Sequence, residues 1–555
     1  MNKKVCSFPI LFALLALLIG TCAVVFPASA QAAPTSTGSI TVSGTVASSY
    51  DAYQIFSANV VDGDSDAKTA TDLAWASDAV RDAALPVLHS AGMSNSQTTA
   101  QEAAEWLNAD SHLTSALSAQ LARSLQSSGA ASVALNAGTA AELPCGYWLI
   151  VADDAIAQGE ADTAPIMALV GGSAVTVKPK AATPKVQKHV LEDSTAAWQK
   201  AADATVADDL YWRLSATVPA GLTAYDTYTV RFVDTMSAGL DPSKVAASMR
   251  VYVAAGADGG FDAVQTDKDG RVGTEPAKGW TDITAQCATK VAADSKTFTV
   301  RTGDLIAALG GADAFTAGAR VVAVYNAPLN SACNHGIAKG NPNEVYLRYP
   351  RSPFADQSGD AGFTRTPSDD ACAYTWDLAL TKRGSDSDKP LAGAVLSIAD
   401  DRGRTLAADG TWDAEGKATV TTGEDGRVTV SGVDSGKLEV RELKAPKGYT
   451  AFEGTRSVTV KAEGLDVDQV AAAKPKLTIT AESPLRADSA DGSTGSLEAS
   501  LINTPTGTPP SITTGGFMPS TGDMAMYAAA AAAVAGAALI VVALLVKRGG
   551  GGHKE

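Results

Sequence analysis

The chain has 555 residues and a formal net charge of −16. That length allows roughly three or four domains, and the acidic balance excludes nucleic acid as a partner, because phosphate binding needs clustered Lys and Arg. With aromatics at only 6% and Gly, Ala, Thr and Val abundant, short strands broken by turns are expected.

Lys3 and Lys4 precede an apolar run over 10–25 that closes on Ala28-Ser29-Ala30. This is the pattern of a secretory signal peptide, 1–30, cut after Ala30 or Ala33. The chain beyond it is expected outside the cell, where disulfides are permitted. The first region, 31–179, opens on the alternation of Ile40 and Val42 and on the strand-like stretch 50–56. Trp106, Leu113, Leu117, Leu121 and Leu125 recur at near-helical spacing and predict a helix ending at Gly129. Strands are predicted around 147–151 and 166–170. Asp62, Asp64 and Asp66 hint at a calcium loop, but the turn Gly and closing Glu of an EF-hand are missing, so a solvated acidic loop is expected. Ahead of Lys178 at its very end, this region has a single lysine, Lys68, which argues against an internal Lys–Asn bond there.

At the junction stands Val175-Thr176-Val177-Lys178-Pro179-Lys180. Strand alternation puts Val175 and Val177 on one side and Lys178 and Lys180 on the other. The second region, 180–370, is strand-rich, with strands predicted at 212–218, 228–233, 297–301, 320–325 and 344–349. Cys287 and Cys333 fall within it and could form a disulfide, although sequence leaves connectivity open. The third region, 371–505, repeats the short strands and turns of a β-sandwich. A Pro/Thr/Gly stalk occupies 506–523 and contains Met518-Pro519-Ser520-Thr521-Gly522. The apolar stretch 524–546 is long enough to span a bilayer as a transmembrane helix, and Lys547 and Arg548 hold the tail, 547–555, inside.

No enzyme constellation competes. His89, His112, His189, His335 and His553 are scattered without metal-ligand spacing, and there is no nucleophile elbow or phosphate-binding glycine loop. No metal or cofactor is expected.

Several of these stretches resemble known families. Met518 to Gly522, with the apolar span and basic tail after it, resembles the sortase sorting signal Leu-Pro-x-Thr-Gly, with Met518 in place of Leu. The resemblance implies sortase cleavage between Thr521 and Gly522 and capture of the Thr521 acyl group by an amine. The junction resembles the pilin motif Val-x-Val-Tyr-Pro-Lys, with Lys178 in place of Tyr, and implies that the amine is Lys180 of a neighbouring subunit. The third region resembles the B-type repeat of collagen adhesins through Leu380-Thr381-Lys382, Pro390-Leu391-Ala392-Gly393-Ala394, Gly432-Val433-Asp434-Ser435-Gly436 and Glu442-Leu443-Lys444-Ala445-Pro446-Lys447-Gly448-Tyr449. That implies an immunoglobulin-like fold with an internal isopeptide bond, Lys382 being the nucleophile, Asn503 the electrophile and Glu442 the proton shuttle. The second region resembles the fimbrial isopeptide-forming domain through Val186-Gln187-Lys188, Thr229-Val230-Arg231-Phe232-Val233-Asp234-Thr235, Gly239-Leu240 and Gly340-Asn341-Pro342-Asn343. It implies Lys188 as nucleophile, Asp234 as shuttle and Asn343 as electrophile, with Asn341 and Asn326 left as alternatives.

The residues support these triads on their own terms. Residues two apart on a strand share a face. Lys382 continues the row of Leu378 and Leu380, Glu442 that of Leu438 and Val440, and Asn503 that of Leu497, Ala499 and Leu501. Likewise Lys188 shares a face with Val186 and Val190, Asp234 with Val230 and Phe232, and Asn343 leads Val345, Leu347 and Tyr349. Burial at such positions lowers a Lys pKa and raises that of an acid. A neutral amine can then attack while a protonated acid polarises the amide.

As a whole the sequence resembles a SpaA-type backbone pilin of Gram-positive bacteria. The implied architecture is mainly β, with tandem immunoglobulin-like sandwiches and a helix added to the first. The implied partners are other copies of the chain, a sortase, peptidoglycan, accessory pilins and host surface ligands, and the only chemistry is autocatalytic bond formation. The expected location is a pilus anchored to the cell wall. The alternative is a monomeric wall-anchored adhesin that binds a host ligand and makes no use of Lys180.

Overall fold

A computed structural model describes residues 36–507 except 45, 64–66, 110–111, 154–159, 163, 180–182, 268–270 and 355–356. The signal segment, the sorting motif from Met518 to Gly522, the apolar span and Lys180 all lie outside the described residues. The chain is mainly β, at 46% strand and 13% helix, and multi-domain. No helix among the described residues is long and apolar enough to cross a membrane.

The first domain is built on the strand Ser49–Asp62, whose alternation feeds two cores. Tyr53 and Ile55 face the helices Asp78–Ser90 and Ser115–Ser128 through Ala84, Leu88, Leu121 and Leu125. Tyr50 and Ala52 point the other way, towards Ile40 and Val42 of the strand Thr37–Val42. That strand sits between Ala140–Pro144 and Val175–Val177 in a three-stranded sheet. Gly146 opens the strand Gly146–Ala152 opposite Ser57, just past the bulge at Ile55 in its pairing with Ser49–Asp62. Its φ is +140°, and a Cβ there would lie 2.0 Å from the Phe56 carbonyl oxygen.

The helix expected through Trp106 and Leu125 is two helices, Ala100–Asn108 and Ser115–Ser128. The break has a local cause: Ala109 turns extended, and Thr114 caps a new start by accepting from the Leu117 amide. The helix does end at Gly129 as expected, with φ +69°.

In the middle domain two sheets share one core. The first runs Ala197–Gln199, Lys185–Glu192, Tyr211–Val218, Ala319–Asn326, Arg250–Ala255, Thr281–Asp282. The second runs Ala201–Asp203, Asp369–Tyr374, Asn341–Pro350, Arg231–Met236, Thr297–Arg301, Ala288–Val291. Trp212, Leu214, Phe232, Phe298, Tyr325 and Leu347 fill the space between them. The strand expected at 228–233 begins later, at Arg231, because the Tyr228 and Val230 amides bond to the side chains of Asp304 and Thr302 instead of a neighbouring strand. The boundary expected at 371 also moves: Asp369–Tyr374 pairs with Asn341–Pro350, so the third domain begins at Trp376.

The third domain is again two sheets over one core. Its first strand, Trp376–Gly384, lies parallel to its last, Ser496–Pro505. The facing sheet is centred on Val395–Ala399, Gly436–Lys444 and Thr455–Glu463. Against the middle domain it is held by the Trp376 indole donating to Asp203 (2.6 Å) and by the Val206 amide donating to the Gly432 carbonyl (2.9 Å). The first domain meets the middle one through the Arg123–Asp226 ion pair (2.8 Å) and a bond from the Asp162 amide to the Arg351 carbonyl (3.0 Å).

Candidate functional site

The inward rows read from alternation are buried as expected, apart from the half-buried Val186, and each places its polar member in the core. Lys382 is fully buried on Trp376–Gly384, and Glu442 and Asn503 are buried on Gly436–Lys444 and Ser496–Pro505. Parallel register sets Lys382 beside Leu501 and Gly384 beside Asn503, so the lysine and asparagine are diagonal neighbours. Glu442 Oε1 accepts from Asn503 Nδ2 at 2.9 Å and lies 3.6 Å from Lys382 Nζ. One carboxyl oxygen thus stands between the amine and the carboxamide. Glu442 Oε2 is held by the Phe452 amide (3.1 Å), and Lys382 Nζ donates to the Leu501 carbonyl (3.1 Å). Burial lowers the Lys382 pKa to about 8, against the pull of Glu442.

A second cluster occupies the middle core. Lys188, Asp234 and Asn343 are each fully buried. Asp234 and Asn343 come together because Arg231–Met236 pairs antiparallel with Asn341–Pro350, with Met236 opposite Asn343. Lys188 reaches them from the other sheet. Its Nζ donates to Asp234 Oδ2 and to the Tyr325 hydroxyl (2.9 Å), over the faces of Trp212 and Tyr325. The Tyr325 hydroxyl donates to Asp234 Oδ2 (3.0 Å) and accepts from Asn343 Nδ2 (2.8 Å). Burial lowers Lys188 to about 8 and raises Asp234, in each case overcoming the partner's charge. Both shifts favour the neutral pair. The Lys188 backbone is fixed at both ends, its amide donating to Asp369 (2.6 Å) and its carbonyl accepting from Lys200 Nζ (2.9 Å).

Of the three asparagines left open by sequence, only Asn343 shares a partner with Lys188. Asn341 is engaged at both ends of its amide, with the Asn334 backbone and the Ala373 carbonyl. Asn326 accepts from the Leu210 amide and donates to Asp209. Tyr325 was not singled out by sequence, because its strand Ala319–Asn326 is buried on both faces and shows no clean alternation. The one available signal is a tyrosine in a hydrophobic row, whose hydroxyl needs a partner once buried.

The disulfide that Cys287 and Cys333 could have formed is absent, and all four described cysteines are free thiols. The two occupy different surroundings. Cys287 Sγ donates to the Ile283 carbonyl (3.3 Å), whereas Cys333 Sγ lies 3.6 Å from His335 Nε2. Asp62, from the acidic run, binds the Ser173 amide (2.8 Å), while Asp64 and Asp66 lie outside the described residues. Lys68 donates to the Gly171 and Ser173 carbonyls. On the approach to Lys180, Val177 is buried and Lys178 exposed, the alternation read from sequence.

Residues 377–474 match the SpaA family, described as a prealbumin-like fold domain. The chain is 31% identical over 143 residues to the trypsin-resistant surface T6 protein of Streptococcus pyogenes serotype M6, a match covering 24% of each chain. The matched part thus spans about a quarter of that relative's length. Among solved structures, the T6 backbone pilin of the same serotype aligns over 85% of this chain and 98% of its own, at 17% identity and a TM-score of 0.46. The full-length major pilin SpaD of Corynebacterium diphtheriae aligns over the same shares at 15% identity and a TM-score of 0.41.

Proposed function

We propose that this chain is the structural backbone subunit of a covalently polymerised pilus, stabilised by Lys188–Asn343 and Lys382–Asn503 isopeptide bonds. The observation that carries the reading is the recurrence, in two successive sandwiches, of a buried lysine, acid and asparagine brought together by hydrogen bonds and ion pairs. Buried polar groups of this kind cost stability unless paired. Their use here is chemical: the neutral amine attacks the asparagine Cγ, the acid moves protons, and ammonia leaves. Each bond closes a loop of more than a hundred residues and constrains the unfolded chain as a disulfide does, worth on the order of 4–5 kcal/mol. The match to the trypsin-resistant surface T6 protein supports a surface location, and the SpaA match supports the sandwich assigned to the third domain.

Between subunits, Lys180 receives the Thr521 acyl group from a sortase. Such head-to-tail linkage is heterologous and open, so it yields a fibre. Boiled wall extracts run on a denaturing gel test this directly. A ladder of high-mass species is expected in the wild type. Lys180→Ala should abolish the ladder while monomer still reaches the wall, and Thr521→Ala should leave the protein in the membrane fraction. A single discrete wild-type band favours the monomeric adhesin, and a ladder persisting in Lys180→Ala overturns the linkage site.

A further inference from the structure

The two clusters differ in how the acid meets the asparagine. In the third domain Glu442 Oε1 itself bonds Asn503 Nδ2 at 2.9 Å and lies 3.6 Å from Lys382 Nζ. In the middle domain the acid is an aspartate, one methylene shorter. Asp234 touches Lys188 but makes no hydrogen bond to Asn343: its Oδ2 is engaged with Lys188 and Tyr325, and its Oδ1 has no partner. The gap is filled by the Tyr325 hydroxyl, 3.0 Å from Asp234 Oδ2, 2.8 Å from Asn343 Nδ2 and 2.9 Å from Lys188 Nζ.

We propose that Tyr325 is a catalytic residue of the middle-domain cross-link, carrying a proton from Asp234 to the departing nitrogen of Asn343. This rests on the reading that Lys188 and Asn343 react. A purely structural network would satisfy its members, because a buried polar group without a partner is costly. Here Asn343 Oδ1 and Asp234 Oδ1 are both buried without one. The Tyr325 hydroxyl bridges the two atoms between which a proton has to pass, Asp234 Oδ2 and Asn343 Nδ2.

Atoms and charges balance along that path. Lys188 passes one proton to Asp234 and attacks Asn343 Cγ as a neutral amine. The hydrogen bonds through Tyr325 then reverse sense. Its hydroxyl proton goes to Nδ2 as the Cγ–Nδ2 bond breaks, and it regains a proton from Asp234. Ammonia leaves with its electron pair, and the second proton of the new secondary ammonium returns to Asp234, which ends neutral. Desolvation holds the phenol well above its usual pKa and raises that of Asp234, so both groups favour their protonated forms between transfers.

The test is the rate of ammonia loss in the full ectodomain, made by cell-free synthesis and monitored by intact mass and peptide mapping. The Lys382–Asn503 link in the same chain serves as an internal clock for folding. Tyr325→Phe keeps the ring packed against Phe298 and removes only the hydroxyl. It should slow the Lys188–Asn343 link by about 100-fold or more, the usual worth of a positioned general acid, with the third-domain link unchanged. In the double variant Asp234→Glu/Tyr325→Phe the longer acid should regain at least tenfold by reaching Asn343 directly, as Glu442 reaches Asn503. Wild-type speed in Tyr325→Phe overturns the proposal. So does a loss that the double variant does not recover, which would assign the hydroxyl to packing alone. Absence of a Lys188–Asn343 link from the wild type defeats instead the reading on which the proposal rests.

Discussion

A lysine buried among leucines is a poor choice for stability, and its charge is where the cost shows. Lys382 has no exposed surface, and its pKa falls from the usual 10.5 to about 8 through burial. In a variant that folds without the cross-link, such as Asn503→Ala, that shift becomes a stability profile. The folded form releases the proton near pH 8 and the unfolded form near 10.5. Between those values the unfolded chain binds more protons, so stability rises with pH across the window. The rise should be at most roughly 3 kcal/mol. Thermal midpoints of Asn503→Ala at pH 8 and pH 10 should show it, and adding Lys382→Met should flatten it. An equal slope with and without Lys382 would remove the lysine as its cause. The inward placement of Lys382, Glu442 and Asn503 was legible residue by residue, because strand alternation is local. The part played by Tyr325 was not, since a strand buried on both faces carries no such pattern.

At the level of elements, the first domain folds around cores of its own, whereas the third-domain core takes in Ala201, Cys372 and Tyr374 of the middle one, so damage to the first domain should leave the others' chemistry intact. The first domain offers a sharp probe. Gly146 has a φ of +140° and faces the Phe56 carbonyl so closely that a Cβ would sit 2.0 Å from its oxygen. Backbone cannot yield as a side-chain tip can. Gly146→Ala should cost the first domain at least about 3 kcal/mol, combining strained backbone with a steric clash. Calorimetry should show its transition lowered or lost. The ectodomain mass should remain low by two ammonia molecules, because the middle and third domains still fold. Loss of either link in this variant would show that the domains fold as one cooperative unit.

For the whole molecule, the joint between the middle and third domains gathers carboxyl groups. Glu192 accepts from the Asp203 amide (3.2 Å). Asp203 Oδ2 receives the Trp376 indole (2.6 Å) and the Ser435 amide and hydroxyl (2.9 and 2.6 Å), while Asp193 pairs with Arg402 (3.4 Å). Burial first, and then the charge of Asp203, push Glu192 up to about 8; Asp193 and Asp434 are raised as well. An acid whose folded pKa is raised contributes its full stability below its ordinary value of 4.5, and this is lost as pH rises through about 8. The joint should therefore be firmest in mild acid. Protease cleavage at the joint should increase from pH 5 to pH 8 in the wild type, and Glu192→Gln should flatten the trend. A trend unchanged in Glu192→Gln would assign it to other groups.

By itself the sequence determined the order of the domains, most of the longer strands, the helix end at Gly129 and the inward rows that carry Lys188, Asp234, Lys382, Glu442 and Asn503. All of these arise from periodicity and capping over a few neighbouring residues. Tertiary structure alone decided which asparagine meets Lys188, that Cys287 and Cys333 stay apart, that Asp369–Tyr374 belongs to the middle domain, and that Tyr325 links Asp234 to Asn343. These depend on the pairing of strands far apart in the chain, such as Met236 with Asn343 and Lys382 with Leu501. That register is set by how whole sheets pack over a shared core, and no local window of residues contains it.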